Sequence, residues 1–579
     1  MIVHRRLVAS AVVALGLLAA ACSSDSSTAP TATPVLGAAA SATSSSTVRI
    51  TFNSKAGDTG YNVERAEGAT GSFAQVGTVA APSTPGSVSY TDTGLKVATL
   101  YRYRLVTVRG SLTSSPSGEF SVTTLAFGNA AADISGDITT SRTLYADTTY
   151  TLKGFIHVAN GATLTIQPGT TIKGDFNTLG SSLFILRGAK IQAVGTASAP
   201  IVFTSSRAVG QRQTGDWGGL ILVGNALINR SGSVELEGSN TDGVAVVSGK
   251  NYQVLYSGGT TPTDNSGTLS YVRVEFAGFA PSLNNELNSF SFAAVGSGTR
   301  ISYLQAMAGL DDSYEFWGGG VDGDHLVSYE AGDDHFDMSE GFSGRLQYLI
   351  SMQSTVLTPR TGAGSASSDP QGIENDGCAG SGCDLAFNST PLTIPVVANF
   401  TLIGTGSTTT SGSSGGTGMV LRRGTGGYYV NGVVARFPRG GIGMRDNETF
   451  ARAGSAATPD LATSDLAVRN VLVAETNSIV FETGTGRNAF DLAGNVITAS
   501  AATAAALFTA LPATGAEPTL AGLDWSPATG SAVAAGGLAT FTGKLATKAG
   551  TFVTGTTYLG AAAPGGTKWW SGWTVYFRN

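Results

Sequence analysis

The sequence predicts an all-β protein built largely as a parallel β-helix, and three observations support this prediction. Glycine is very frequent (78 of 579 residues) and only 13% of residues are charged, which suits short strands and many turns. Residues 299–320 and 321–342 align at an offset of 22 residues, and both combine alternating apolar strands with Gly/Asp turns. Such a period is typical of solenoids, in which each repeat forms one coil. The chain is also too long for one ordinary hydrophobic core.

Residues 1–21 have the pattern of a signal peptide. The sequence HRR at 4–6 is positively charged, and the apolar run 7–21 is too short to span a bilayer comfortably. The run ends in LLAAAC, which resembles a bacterial lipobox with Cys22 as the acylated first residue of the mature protein. Several acyl chains on one cysteine would anchor the protein stably, because each buried methylene contributes about 0.8 kcal/mol. The alternative is a plain secretory signal in which Cys22 is incidental.

The residues after the cysteine bear on location and partners. Ser23 follows Cys22, and no aspartate stands there to retain a lipoprotein at the inner membrane, so we expect the outer membrane or cell surface. Residues 22–46 are rich in Ser, Thr, Ala and Pro, which predicts a flexible linker. The net charge of -6 and the lack of a basic cluster argue against nucleic acid as a partner.

Residues 47–125 contain short alternating strands at the spacing of a small β-sandwich. The run GLKVATLYRYRLVTV places Leu95, Tyr101 and Tyr103 where the E–F corner of a fibronectin type III domain has its characteristic residues. On these residues the segment resembles that domain family, although Val97 replaces the frequent Pro. The resemblance implies a spacer or a low-affinity binding module without catalytic chemistry.

We expect the β-helix to occupy residues 126–579. The run YTLKGFIHVANGATLTIQPGTTIKGD (150–175) has the plan of a first coil, and SLFILRGAKIQAVGTASAPIVFTSS (182–206) repeats it. Together with GDWGGLILVG and the ending WWSGWTVY, these runs resemble a large family of bacterial secreted or lipid-anchored proteins. The resemblance implies a right-handed, pectin-lyase-like parallel β-helix and no particular activity. We expect the Trp-rich end (569–573) to cap the open end of the solenoid, which would otherwise expose a strand edge.

The two remaining cysteines, Cys378 and Cys383, stand close together. In an oxidising compartment such a pair most simply forms a local disulfide. The alternative is a metal site, although no other Cys or His lies nearby in the sequence. The adjoining acidic segment GIENDG (372–377) offers further carboxylates.

The repeated segment carries acidic residues at matching positions. Three acidic residues of the first repeat align with three of the second: Asp311 with Asp333, Asp312 with Asp334 and Glu315 with Asp337. Because aligned residues of successive coils stack about 4.8 Å apart, we expect one ladder of carboxylates. Two unit charges at that distance repel by roughly 3.5 kcal/mol at an effective dielectric constant near 20. Oxygen-only clusters suit a hard cation, and Ca²⁺ is favoured over Mg²⁺ because it accepts more ligands in less regular geometry.

Two other interpretations of the ladder stay open. Asp and Gly are common in turns, so the acidic residues could form polar turns at a coil edge and nothing more. Paired carboxylates also catalyse glycoside cleavage. In that case Asp311, Asp312, Asp333 and Asp334 would act together with Arg345, the arginine nearest the ladder in sequence. No polygalacturonase or pectate lyase motif is found, so an enzyme assignment would depend on fold analogy alone.

The sequence therefore leads to two hypotheses about function. In the first, a non-enzymatic lipoprotein of the cell envelope, stabilised by calcium, presents its β-helix for adhesion or glycan binding. Its partners would be the membrane and a polysaccharide or surface protein. In the second, the same scaffold is a polysaccharide lyase or glycoside hydrolase. Trp217, Phe316 and Trp317 could stack on sugar rings, although such aromatic residues more often pack inside coils.

Overall fold

The structure is a computed structural model of the chain. It describes residues 31–126, 130–159, 161–239, 254–282, 285–367, 370–406, 416–454, 462–482 and 497–578. The predicted signal peptide and the predicted lipidation residue Cys22 lie outside these residues. Within the described ranges, no helix combines the length and the apolar character needed to cross a membrane.

The N-terminal part of the described chain consists of two antiparallel sheets. Its strands are β1 (Ala39–Ala42), β2 (Val48–Asn53), β3 (Gly60–Glu67), β4 (Ala74–Ala80), β5 (Ser87–Asp92), β6 (Leu100–Arg109), β7 (Leu112–Thr113) and β8 (Phe120–Thr123). One sheet has the order β1-β2-β5; the other has the order β4-β3-β6-β7, with β8 also paired to β6. The sheets share one apolar core, in which the rings of Phe52 and Tyr61 meet at 4.7 Å. Assignment of this unit to the fibronectin type III class stays a prediction.

The predicted flexible linker, 22–46, extends too far toward the C-terminus. Strand β1 lies within it, and Ala40 stands opposite Ile50 of β2 in antiparallel register. Val35 and Ser45 are buried as well. The small side chains of AASA carry no apolar signal, but a strand can form on main-chain hydrogen bonds to a neighbouring edge. The folded unit therefore begins inside the predicted linker.

Two long parallel sheets dominate the rest of the chain and confirm the predicted parallel β-helix. Within the described ranges, fifteen strands form the larger sheet. They are β9 (Ala130–Ile134), β10 (Arg142–Leu144), β11 (Thr148–Leu152), β13 (Thr163–Ile166), β14 (Thr171–Gly174), β16 (Lys190–Val194), β17 (Ile201–Ser205), β19 (Gly267–Glu275), β23 (Arg300–Met307), β25 (Asp322–Tyr329), β27 (Arg345–Met352), β29 (Val396–Ile403), β31 (Gly427–Ala435), β33 (Leu466–Ala474) and β34 (Ile497–Ser500).

The smaller parallel sheet has nine strands in the part of the chain that the structure describes. They are β12 (Phe155–Val158), β15 (Ser182–Ile185), β18 (Leu220–Val223), β22 (Phe290–Ala293), β24 (Tyr314–Trp317), β26 (Phe336–Ser339), β28 (Ile373–Asp376), β30 (Thr417–Arg422) and β32 (Gly440–Met444). The chain alternates between the two sheets, so one strand of each belongs to each later coil.

Shorter elements connect or flank the coils. They are the antiparallel pairs β20 (Phe279–Ser282) with β21 (Asn285–Leu287) and β35 (Phe508–Ala510) with β36 (Asp524–Pro527), and the α-helices α1 (Asn447–Arg452), α2 (Ala504–Leu507) and α3 (Gly543–Ala549). In the part of the chain that the structure describes, three single 3₁₀ turns lie at Ala386–Asn388, Leu520–Gly522 and Ala532–Ala534.

The 22-residue repeat corresponds to one coil. Tyr314 of β24 lies opposite Phe336 of β26, and Glu315 lies opposite Asp337. The ring centroids of Phe290 and Tyr314 are 5.1 Å apart, and those of Tyr314 and Phe336 are 5.2 Å apart. Such stacks fill the coil interior with apolar surface at close packing. The same register places each acidic residue of one coil beside its counterpart in the next.

The C-terminal tail, residues 501–578, covers the outer face of the fifteen-stranded sheet. Nε2 of Gln305 in β23 donates to the carbonyl oxygen of Val575 (2.6 Å), and Oε1 of Gln305 accepts from the backbone nitrogen of Val575 (2.9 Å). Trp573 is buried edge-on against the rings of Tyr271 and Tyr303. The prediction that the Trp-rich end caps the open end of the solenoid is therefore wrong. The outer face carries its own apolar cluster, and the tail removes that cluster from water.

Candidate metal centre

Four of the predicted acidic residues lie in two equivalent turns. Asp311 and Asp312 precede β24, and Asp333 and Asp334 precede β26 one coil further on. The backbone nitrogen of Asp334 donates to Oδ1 of Asp312 (2.8 Å), which links the two turns directly. The turns recur because the chain must leave one sheet and enter the other at the same point of every coil. The stacking predicted from the repeat is present.

Three further carboxylates stand within the strands themselves. Glu315 of β24 lies opposite Asp337 of β26, and Asp337 lies opposite Glu374 of β28. Glu374 belongs to the acidic segment GIENDG, so this segment extends the ladder into a third coil. Parallel register brings these residues together although Asp337 and Glu374 are far more than one 22-residue period apart.

The ladder forms one wall of a cavity of about 800 Å³. Further acidic residues line the same cavity, namely Glu235, Glu237, Glu286, Glu340 and Asp376. Three arginines also line it: Arg230, Arg422 and Arg423. The cavity is therefore strongly acidic. Its positive charges come from segments of the chain that do not carry the ladder.

The carboxylates fall into three groups in which the ligand oxygens lie within 4.8 Å of one another. The groups are Asp311, Asp312 and Asp333; Asp312, Glu315 and Asp337; and Asp334, Asp337 and Glu374. Three convergent carboxylate oxygens at such separations can coordinate one hard cation, with water or carbonyl oxygens completing the shell. All six predicted metal-binding residues are members, and Glu374 is an additional one.

Burial of these carboxylates makes negative charge costly. It raises the pKa of five of them well above the ordinary range, and the neighbouring carboxylates raise each pKa further: Asp311, Asp312, Glu315, Asp334 and Asp337. A desolvated cluster of like charges is relieved either by protons or by a cation. The electrostatics of the cavity thus favour a positively charged occupant.

Two oxygens at the ladder have capacity to bind a ligand. Ser339 lines the cavity and is only 9% exposed, yet its Oγ has no hydrogen-bond partner among the described residues. Oδ1 of Asp337 is likewise buried and without a hydrogen-bond partner in the described ranges. A buried polar oxygen that lacks a partner costs free energy, so both oxygens point to a ligand that they would bind.

The three arginines and the carboxylates that they contact are called the rim of the cavity, and Glu374 belongs to both the rim and the ladder. Nη1 of Arg230 lies 2.6 Å from Oε1 of Glu340, and Nη1 of Arg423 lies 2.5 Å from Oδ2 of Asp376. Arg422 contacts both Asp376 and Glu374. Sequence reasoning missed all three arginines, because only the folded coils bring them to the ladder.

The predicted disulfide forms one edge of this rim. Cys378 and Cys383 are bonded, and Gly380 within their loop lines the cavity. Nε of Arg230 donates to the carbonyl oxygen of Ser381 in the same loop (2.8 Å). The cross-link therefore holds the loop that positions Arg230.

Arg345, predicted as a catalytic partner of the ladder, lies elsewhere. It begins β27 in the fifteen-stranded sheet, pairs with Asp322, and donates to the carbonyl oxygen of Ala549 in the tail (3.3 Å). The prediction assumed that neighbours in sequence share an edge, but the ladder and Arg345 lie on different sheets. The aromatic residues considered for sugar stacking are also buried: Trp217 and Phe316 completely, and Trp317 to all but 6%.

Comparison with known proteins agrees with the observed coils. Residues 136–517 match the family model described as a pectate-lyase-like β-helix domain. The chain belongs to this family. A search of curated proteins finds no match to the chain.

Solved structures resemble the pectate-lyase-like chain only distantly. The catalytic unit of a GH87 α-1,3-glucanase from Streptomyces thermodiastaticus is 7% identical, with 79% of this chain and 88% of that chain covered and a TM-score of 0.26. Pectate lyase PelI from Erwinia chrysanthemi is 10% identical, with 61% and 87% covered and a TM-score of 0.13. The chicken CNTN1 FN1-FN3 domains are 18% identical, with 17% of this chain and 33% of that chain covered and a TM-score of 0.15. The chain thus spans about a third of that last structure.

Proposed function

We propose that this pectate-lyase-like β-helix protein binds Ca²⁺ in its acidic cavity and acts as a non-enzymatic binding protein of the cell envelope. The observation that carries the proposal is the set of three carboxylate groups whose ligand oxygens lie within 4.8 Å of one another. The Oγ of Ser339, which has no hydrogen-bond partner among the described residues, supports it independently. Ca²⁺ fits better than Mg²⁺, because the oxygens come from turns and strands of different coils and Ca²⁺ accepts more ligands in less regular geometry.

A bound ion would stabilise the β-helix. Asp311 and Asp333 belong to successive coils and to the same group of ligands. An ion between them therefore links two coils, in addition to removing their mutual repulsion. Any ligand that binds only the folded state raises the free energy of unfolding, so calcium acts as a structural component.

The test of calcium binding is thermal unfolding of the purified chain in calcium and in EDTA. We expect EDTA to lower the melting temperature, and the double variant Asp311→Ala with Asp333→Ala, which removes two ligands of the first group, to show a smaller shift. Asp524→Ala is the matched control, because Asp524 pairs with Lys568 outside the cavity. A melting curve that EDTA leaves unchanged in the unaltered protein would contradict the proposal.

The envelope location rests on the N-terminal sequence. The signal-peptide pattern and the lipobox ending at Cys22 support a lipid anchor, with Ser23 supporting the outer membrane or cell surface. The β-helix would then meet a polysaccharide or another surface protein. Cys22→Ser should move the protein from the membrane fraction to the soluble fraction, and a variant that stays with the membrane would contradict the anchor.

A polysaccharide lyase or glycoside hydrolase is the alternative function. One observation favours it: Asp311, Asp312, Asp333 and Asp334 share a cavity in which burial raises the pKa of several carboxyls, as a general acid requires. The decisive experiment incubates the protein with uronate-containing polysaccharides, with and without EDTA. We expect neither new reducing ends nor unsaturated products, and either product would establish the alternative.

A further inference from the structure

The three carboxylate groups of the cavity are connected to one another. Asp312 belongs to both the first and the second group, and Asp337 belongs to both the second and the third. A carboxylate has two oxygens and can bridge two cations, one on each oxygen. The groups therefore form a continuous row and are not three independent sites.

The row follows the stacking of the coils. Glu315, Asp337 and Glu374 stand opposite one another on β24, β26 and β28. Neighbouring parallel strands are separated by about 4.8 Å, so the cations of the second and third groups, which are related by one coil step, would lie on the order of 5 Å apart. Without anionic bridges, divalent ions at such a short distance would repel each other strongly. The shared carboxylates stand where such bridges are needed.

The negative charge of the row favours several cations over a single one. Its three groups contain seven different carboxylates. Arg422 contacts Glu374 and supplies one positive charge, whereas the nearby Asp376 is also paired with Arg423. Three divalent ions together with Arg422 would neutralise these seven carboxylates, and Glu235, Glu237 and Glu286 add further negative charge to the same cavity. A single ion would leave most of the negative charge of a buried wall uncompensated.

We infer that the cavity holds a row of three calcium ions, bridged by Asp312 and Asp337 and completed in the third coil by Glu374. The inference rests on the proposed function and adds the number and the connection of the ions. Oδ1 of Asp337, without a hydrogen-bond partner in the described part of the chain, is a second observation at the bridging position, and the Oγ of Ser339 is a third on the same wall. The third site fills last, because Arg422 competes with the ion for Glu374.

The number of bound ions is the first test. The full-length chain is freed of metal with EDTA, dialysed and titrated with Ca²⁺ in a calorimeter, and native mass spectrometry counts the ions. We expect three ions for the unaltered protein and two for Glu374→Gln. The control Asp324→Asn should retain three, because Asp324 pairs with Arg300 and His325 outside the row.

The outcomes separate this inference from the proposal on which it depends. One ion per chain in the unaltered protein, or an unchanged count in Glu374→Gln, would overturn the row and leave calcium binding in place. The absence of any bound ion would overturn both.

A second measurement needs no variant and reports the distance between ions. Trp317 lines the cavity, so its excited state should sensitise bound Tb³⁺, a luminescent substitute for Ca²⁺. In protein loaded with a mixture of Tb³⁺ and Eu³⁺, ions on the order of 5 Å apart would transfer energy efficiently. We expect a shortened Tb³⁺ lifetime that depends on the Eu³⁺ fraction. A lifetime independent of Eu³⁺ would overturn the row.

Discussion

Without a divalent cation, the β-helix should lose stability as the pH rises, and Asp312→Asn should weaken this loss. Asp312 is 6% exposed and accepts a hydrogen bond from the backbone nitrogen of Asp334 (2.8 Å). Asparagine keeps an oxygen at that position, so the variant removes the charge and retains the contact. The effect of the substitution can then be attributed to ionisation.

The sign follows from the direction of the pKa shift. Burial and neighbouring carboxylates raise the pKa of Asp312 well above its value in the unfolded chain, about 3.9. The folded protein therefore binds more protons than the unfolded protein above that pH, and stability falls as the pH rises toward the folded pKa. Each carboxyl that keeps its proton in the folded state lowers the free energy of unfolding by about 1.4 kcal/mol per pH unit.

The pH range of the experiment starts at 6.5 in order to limit an opposing contribution of His335 to the pH dependence of stability. Burial lowers the pKa of His335 to about 3, so this neutral histidine destabilises the fold when the pH drops below its ordinary value of 6.5. Above pH 6.5 the histidine of the unfolded chain is mostly neutral as well, so this contribution fades between pH 6.5 and 8. Over this range one retained proton corresponds to a loss of about 2 kcal/mol.

The assay is urea unfolding in EDTA at several pH values in this range, repeated with saturating calcium. Asp312→Asn should show a smaller slope in EDTA than the unaltered protein, while Asp524→Asn, outside the cavity, should show the same slope. Calcium should remove most of the pH dependence, because the bound ions replace the protons. A free energy of unfolding that does not fall between pH 6.5 and 8 in EDTA would refute the reasoning.

Two further predictions concern stability. Replacing Cys378 and Cys383 by serine opens a loop of sequence separation 5 and should lower the free energy of unfolding by about 2 kcal/mol, measured as a lower urea midpoint; an unchanged midpoint would contradict this. Phe316→Ala should cost about 3–5 kcal/mol, because the buried ring stacks at 5.0 Å on Phe292 and at 4.8 Å on Phe342. Phe316→Leu should cost much less, and equal losses in the two variants would argue against the stacked core.

Several features of the site could be predicted from the sequence because they depend on spacing alone. A 22-residue repeat with strands in fixed positions places Asp311 near Asp333 and Glu315 opposite Asp337 once the strands pair in parallel register. The close spacing of Cys378 and Cys383 made their bond the simplest outcome in an oxidising compartment.

Other features required the folded coils. Glu374 follows Asp337 in the ladder although the insert between them has a different length from the repeat. Arg230 and Arg422 reach the rim from distant parts of the sequence. Arg345, by contrast, is close to the ladder in sequence and lies on the other sheet.

The sequence by itself therefore determined the type of coil, the alignment of its acidic residues and the signal-peptide pattern at the N-terminus. Only the tertiary structure decided which arginines face those acidic residues and where the tail lies. The physical reason is that strand register repeats along a solenoid and is written into periodic spacing. Inserts and a long tail have no period, so their positions depend on the packing and hydrogen bonds that they find across the surface.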